Sequence, residues 1–358
     1  GSYTAYLKRD ARKKSIGKIY INIVDKIDFE PSAGTTVFGL VSSEEGPVAN
    51  VVVSDGTEVT VTDDKGIYEL KSAKKWGYVF ISVPSGYEVA AEGVFPQFYQ
   101  TLKGAADVVE QKDFKLTKVD GQDRYKLFLL GDMHLANRNT PKDYVQFADG
   151  FVKELTSAYN SAAPGKVYCL NLGDFSWDGY WYDNKWALPE CKQTVEDFNF
   201  QMWSVMGNHD NDPYFAGDFA AEAAYRKALG PTYYSFDVGE VHYVMLDNTV
   251  YINTGGTEGS MGKRNYHSYV TDQQLAWLRD DLAALRDKSQ PVVVGMHCPA
   301  MNNYNAAFEN RESFNPAGKT QELFDCFEGF SYVHFLTGHT HYNANMERGA
   351  IFEHNVAA

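Results

Sequence analysis

The chain has 358 residues, 44% of them hydrophobic and 15% aromatic, enough for one large domain and a small one with full cores. A formal net charge of −14 repels polyanions, which argues against non-specific binding to duplex nucleic acid but leaves a small anionic substrate open. No apolar run is long enough to span a membrane and no signal-peptide pattern opens the chain; Gly1-Ser2 reads as a processing remnant, so that lack does not decide the compartment.

Residues 1–33 join a basic front (Lys8, Arg9, Arg12, Lys13, Lys14) to alternating Ile19, Ile21 and Ile23, and read as a leader with one edge strand and solvated charges. Residues 34–118 change character. Short β-like runs at 37–41, 51–53, 58–61 and 67–70 are separated by Gly46-Pro47, Asp55-Gly56 and Asp64-Lys65-Gly66, which supply turn chemistry. This spacing predicts a small antiparallel sandwich. It holds no histidine and no cysteine, so chemistry is not expected there. The pattern G-x-V, PVANVVVSDG, VTDDKGIYEL resembles the carboxypeptidase-regulatory-like or transthyretin-like sandwich. Such domains often precede extracellular catalytic domains, which implies a periplasmic or extracellular location, with a cytoplasmic one left open.

From 123 to 358 strand patterns alternate with helical ones, the signature of a layered α/β domain. Residues 126–130, 167–172, 202–206, 292–296 and 332–336 read as strands. Thr140-Pro141-Lys142-Asp143 and Thr271-Asp272-Gln273-Gln274 both read as helix starts, the second followed by Leu275, Leu278, Leu282 and Leu285 on one face. Residues 233–236 and 241–246 form an expected hairpin around Gly239. The four cysteines, Cys169, Cys191, Cys298 and Cys326, have neither zinc-ribbon nor disulfide-framework spacing.

Five short segments follow these strands: Asp132-Met133-His134, Gly173-Asp174, Gly207-Asn208-His209-Asp210, His297, and Gly338-His339-Thr340-His341. All five are expected at one edge of one sheet. They offer two carboxylates, one amide carbonyl and four imidazoles, with His209 to spare. Imidazole and carboxylate suit Mn, Fe, Zn or Ni better than thiolate-seeking ions. Asn208 is neutral and leaves room for an anionic ester. Two cations about 3.5–4 Å apart neutralise phosphoryl oxygens and activate water near neutral pH. Asp132 and His134 would share one face if their strand continued; His339 and His341 can share an ion or diverge.

The motif series DMH, GD, GNHD, H, GHTH resembles the calcineurin-like metallophosphoesterase family over roughly 124–355. The 233–246 hairpin, the 271–285 helix and Glu353-His354-Asn355 resemble its branch with an N-terminal sandwich. The resemblance implies a four-layer double β-sheet sandwich flanked by helices, following a small all-β domain. It also implies two divalent metal ions, one on Asp132, His134, Asp174 and His341, the other on Asp174, Asn208, His297 and His339. His209 would act as general acid or as a phosphate contact, with Asp210 orienting its ring, and a metal-bridging hydroxide would hydrolyse a small phosphomonoester or phosphodiester. Members commonly run on into further strands and often a C-terminal β-domain, so either the domain is cut at Ala358 or this member is a short one. The alternatives are a nuclease or nucleotide/pyrophosphate hydrolase on the same site, and a non-catalytic surface-binding protein with structural metals. The expected partner is a small phosphorylated substrate; the oligomeric state is not legible.

Around the motifs, Asp178 is either a support for the site or a loop cap, and Cys298 is expected to point away. His242 and His334 read as structural, His267 and His354 as surface or supporting residues. Arg138, Arg264 and Arg311 each read as surface residues, with one of them as a candidate phosphate clamp. The aromatic stretch 175–203, with Trp177, Tyr180, Trp181, Tyr182 and Trp186, either lines a leaving-group site or packs the insertion.

Overall fold

The computed structural model describes residues 28–138, 144–161, 166–257, 260–285, 287–301 and 319–357, together with the backbone of two N-terminal strands. Those strands, Ser2–Arg9 and Arg12–Tyr20, pair antiparallel where the sequence predicts one edge strand; Ile21 and Ile23 lie outside the described residues.

The N-terminal region is all β, built on two main sheets with two short two-stranded pairs beside them. One sheet runs in the order Tyr99–Thr101, Tyr78–Ile81, Val52–Ser54, Val59–Val61. The other is built on Val37–Ser43, with Ile67–Leu70 antiparallel to it. It departs from the expected antiparallel sandwich in one place: Glu110–Gln111 and Phe114–Lys115 run parallel to Val37–Ser43. Those two-residue segments carry no alternating apolar pattern, so the sequence gives no sign of their pairing.

The larger domain stacks two sheets. Tyr125–Leu130, Lys166–Asn171 and Gln201–Ser204 form a three-stranded parallel sheet. The six-stranded sheet has the order Tyr234–Val238, Val241–Met245, Val292–Gly295, Val333–Thr337, Ile351–Asn355, Ala344–Arg348, parallel in its middle and closed by an antiparallel hairpin at each edge. All five expected strands are present within two residues of their predicted ends. They do not share one sheet: three belong to the first and two to the second. Tyr125 and Tyr243 hydroxyls meet at 2.6 Å between the layers. Period and length predict a strand but not its sheet.

The helix Asp272–Ala284 starts where predicted: Thr271 accepts from the Gln274 N–H, and Leu275, Leu278 and Leu282 are buried. The other predicted start, Thr140–Asp143, lies outside the described residues, as does Arg311. No described helix is long and apolar enough to cross a membrane. The two domains share one continuous core, in which Phe98 packs against Trp203 and Tyr234 with ring centroids at 5.1 and 4.4 Å. Tyr233 donates to the Gly56 carbonyl across the same boundary, and the Met202 N–H reaches the Val94 carbonyl at 2.8 Å.

His242 is buried between two carboxylates, with Nδ1 2.7 Å from Asp237 and Nε2 3.0 Å from Asp281. Burial alone depresses an imidazole, but here the two acids outweigh it and push the group up to about 10. A raised folded-state value means the stabilisation is full below the ordinary 6.5 or so and is lost as pH rises toward about 10. His242→Ala should therefore cost about 3–5 kcal/mol in urea denaturation at neutral pH, because it strands buried charge. The gap between wild type and His242→Gln should narrow as the titration moves through that window.

Candidate metal centre

Every motif residue sits just past the C-terminal end of a strand, where two layers converge. Asp132, His134, Asp174, His339 and His341 all have left-handed backbones, with φ of 54°, 45°, 52°, 69° and 59°. They make up five of the eight non-glycine residues with positive φ among the described residues. Such conformations are costly for L-residues, and their concentration at one place marks a site whose surroundings force the geometry. Asp132 and His134 thus do not extend their strand, yet they still converge.

Asp174 is the centre. It is 1% exposed, and its Oδ2 lies 3.2 Å from His134 Nε2 and 3.2 Å from His297 Nε2. His134 comes from the three-stranded sheet and His297 from the six-stranded one. Asp174 Oδ1 meanwhile accepts the His209 backbone N–H at 2.7 Å. Asp132 faces His341 Nε2 at 3.3 Å and accepts the His339 backbone N–H at 2.9 Å. His297 donates Nδ1–H to the Leu172 carbonyl at 2.8 Å, which aims its Nε2 inward, 3.0 Å from Asn208 Oδ1. Asp132, His134 and His341 offer ligand atoms within 4.8 Å of one another, as do Asp132, Asp174 and His297. His339 groups with His297, so the two histidines of Gly-His-x-His diverge to opposite sides.

Two glycines make this crowding possible. A Cβ on Gly207 would lie 2.1 Å from the Asp174 backbone nitrogen and 2.3 Å from its Oδ1. A Cβ on Gly338 would lie 2.6 Å from Asp132 Oδ2.

Burial raises the Asp174 carboxyl, but His297, His134 and His209 together hold it well below the usual range. His297 shows the reverse balance: burial lowers it and Asp174 lifts it well above normal. His339 is held down to about 3 by burial and by His297, so it is a neutral lone-pair donor. Carboxylates, imidazoles and an amide carbonyl gathered around a buried Asp174 fit divalent cations. Asp132, His134, Asp174, Asn208, His297, His339 and His341 are the residues present to hold them.

His209 lies at the rim. Its Nδ1–H meets Asp178 Oδ1 at 2.9 Å. Burial lowers its proton affinity, but the Asp178 hydrogen bond and the charge of Asp174 outweigh that and raise it. Asp210 does not orient this ring as the sequence suggests. Its carboxylate accepts from Ser176 N at 2.8 Å, Ser176 Oγ at 2.9 Å and Gly207 N at 3.0 Å, which clamps the Gly-Asp and Gly-Asn-His turns together. Adjacent side chains diverge in a turn, and the ring partner comes instead from Asp178, 31 residues earlier. The acid four residues after Asp174 was the available signal.

Cys298 does not point away as expected: its Sγ lies within 4.8 Å of ring nitrogens of His297 and His339, and burial raises its thiol. His267 is exposed, while His334 and His354 stack on each other with ring nitrogens 3.0 Å apart. The aromatic stretch is mostly packing. Trp186 stacks on Tyr144 at 4.1 Å, Tyr182 on Tyr214 at 3.8 Å, and Trp181 is buried. Trp177 alone borders the centre, 5.0 Å from the His134 ring and 5.7 Å from His209, with Arg138 over its face at 4.7 Å.

The family model described as calcineurin-like phosphoesterase matches residues 125–343, and that for the N terminal of calcineurin-like phosphoesterase matches 35–119. The chain belongs to the calcineurin-like phosphoesterase family. Purple acid phosphatase 23 of Arabidopsis thaliana is 29% identical over 154 residues, 40% of this chain and 29% of that protein, so the chain spans under a third of this relative's length. Among solved structures, purple acid phosphatase PPD1 from yellow lupin (Lupinus luteus) seeds superposes with a TM-score of 0.44 at 11% identity, covering 99% of this chain and 69% of that one. The phosphopantetheinyl hydrolase PptH from Mycobacterium tuberculosis gives 0.33 at 14% identity, covering 66% of this chain and 90% of that one.

The crowding makes a sharp prediction. Gly207→Ala should lose bound metal, measured by elemental analysis after saturation with Mn²⁺ or Zn²⁺, because the new methyl displaces Asp174. Full metal content in that variant would contradict the assignment of Asp174 to the centre.

Proposed function

We propose that the chain hydrolyses a small phosphomonoester or phosphodiester at a centre of two divalent cations. The ligands are Asp132, His134, Asp174, Asn208, His297, His339 and His341. Bound there, the cations neutralise phosphoryl oxygens and activate water near neutral pH. The protein's own part is positioning. Asp174 sits between imidazoles of both sheets, Asn208 contributes a neutral oxygen that does not repel the ester, and Trp177 borders one side beside His134 and His209. His209 presents Nε2 to the departing oxygen and gives up its proton there, while Asp178 fixes the tautomer and the ring plane. Asp210 is a positioning residue that holds the two turns in register. The carrying observation is the 2.9 Å contact between Asp178 and His209 at the rim of a histidine-carboxylate cluster. A purely structural metal site has no use for an oriented, proton-retaining imidazole beside it. Family membership supports metal-dependent phosphoester chemistry. The net charge of −14 disfavours polymeric nucleic acid as the substrate, and the sandwich domain supports a periplasmic or extracellular location.

Metal-replete protein should turn over p-nitrophenyl phosphate or its bis ester with Mn²⁺ or Zn²⁺; inactivity on both contradicts the proposal. His209→Ala should keep its metal and lose about 10²–10⁴ in kcat. An unchanged rate would favour the non-catalytic alternative. Because Asp178 raises the His209 proton affinity, turnover should fall on the alkaline side as His209 deprotonates, and Asp178→Asn should move that limb to lower pH.

A further inference from the structure

A cavity of about 120 Å³ opens beside Asn208 and His209, lined on its far side by Arg264, Asn265 and Tyr266. Its hydrogen-bonding inventory is lopsided. Asp178 Oδ1 already accepts from His209 at 2.9 Å, from the Gly179 N–H at 2.9 Å, and from Arg264 Nη1. Asp178 Oδ2 faces Asn211 Nδ2 at 3.4 Å, and Asn211 Oδ1 accepts from Asn253 at 2.7 Å. Asn253 Oδ1 accepts the Asn265 N–H at 3.1 Å, and Asn265 Oδ1 accepts the Tyr266 N–H at 2.9 Å. The remaining amide oxygen, that of Asn208, faces His297. The acceptors are therefore engaged, while donors are left over. Arg264 commits only Nη1, to Asp178, and among the described residues its Nε and Nη2 and the Asn265 Nδ2 have no partner.

We infer that this cavity receives the leaving group, and that the leaving group carries a second anionic function, a phosphoryl or a carboxylate, held by Arg264 and Asn265. The inference rests on the phosphoesterase reading and names the substrate class within it. Spare guanidinium N–H groups fit an acceptor-only anion through paired, charge-assisted bonds. By the measure in which a single water needs about 10–15 Å³, the cavity is roughly tenfold larger, room for such a group and its linking atoms. His209 lines the same cavity, so proton donor and anchor address the same departing fragment.

Three probes test this: propyl phosphate, phosphoglycolate and pyrophosphate, the last two differing in whether the departing fragment bears carboxylate or phosphoryl. Wild-type kcat/KM should favour at least one anionic probe over propyl phosphate by about tenfold or more, and the probe whose advantage Arg264→Gln reduces more identifies the source. Arg264→Gln should cut that ratio by about tenfold, and Arg264→Lys should keep an intermediate value. Taking the ratio cancels any effect of Arg264 that reaches all three substrates through Asp178 and His209. A wild-type ratio near one, or a ratio that Arg264→Gln leaves unchanged in metal-replete protein, overturns the inference. Loss of turnover on every probe and on p-nitrophenyl phosphate in the wild type would instead remove the phosphoesterase reading beneath it.

Discussion

A carboxylate withdrawn from water, with imidazoles from two different sheets 3.2 Å away on either side, is the constraint around which the larger domain is arranged. A buried Asp174 is tolerable only if compensating positive charge reaches it from both layers. That requirement explains the backbone: ligands at the strand ends turn into left-handed conformations to aim inward, and glycines clear the space beside the two carboxylates. It also explains why Asp210 is buried and hydrogen-bonded to backbone amides and the Ser176 hydroxyl. The turns bearing Asp174 and Asn208 must be locked to each other before either can be a ligand.

The strands were legible because each is a short apolar run ended by a distinctive polar motif. The seven candidate ligands were legible too, since Asp-x-His, Gly-Asn-His and Gly-His-x-His are uncommon at strand ends. What the sequence could not assign was partnership in space. It placed all motifs on one sheet, although the His134 and His297 strands lie in opposite layers, because periodicity carries no information about which sheet a strand joins. It gave the His209 ring to its neighbour Asp210, whereas chain direction in the turn sends that carboxylate to the backbone and leaves the ring to Asp178. It expected Cys298 to follow strand alternation, but the strand stops at Gly295 and alternation stops with it.

The aromatic stretch illustrates a related limit. Composition alone cannot separate a stacking wall from packing, and the structure divides the residues: Trp181 and Trp186 pack, while Trp177 faces the histidines. The small domain is structurally committed to the large one, with Phe98, Trp203 and Tyr234 in a common core. The cavity and the candidate ligands all come from the larger domain.

Anomalous diffraction from crystals of the Mn²⁺-loaded protein addresses the central claim directly. The account predicts two peaks about 3.5–4 Å apart, flanking the Asp174 carboxylate, one toward His134 and His341 and the other toward His297 and His339. No peak at Asp174 under saturating metal, or a single ion bound elsewhere, would contradict it.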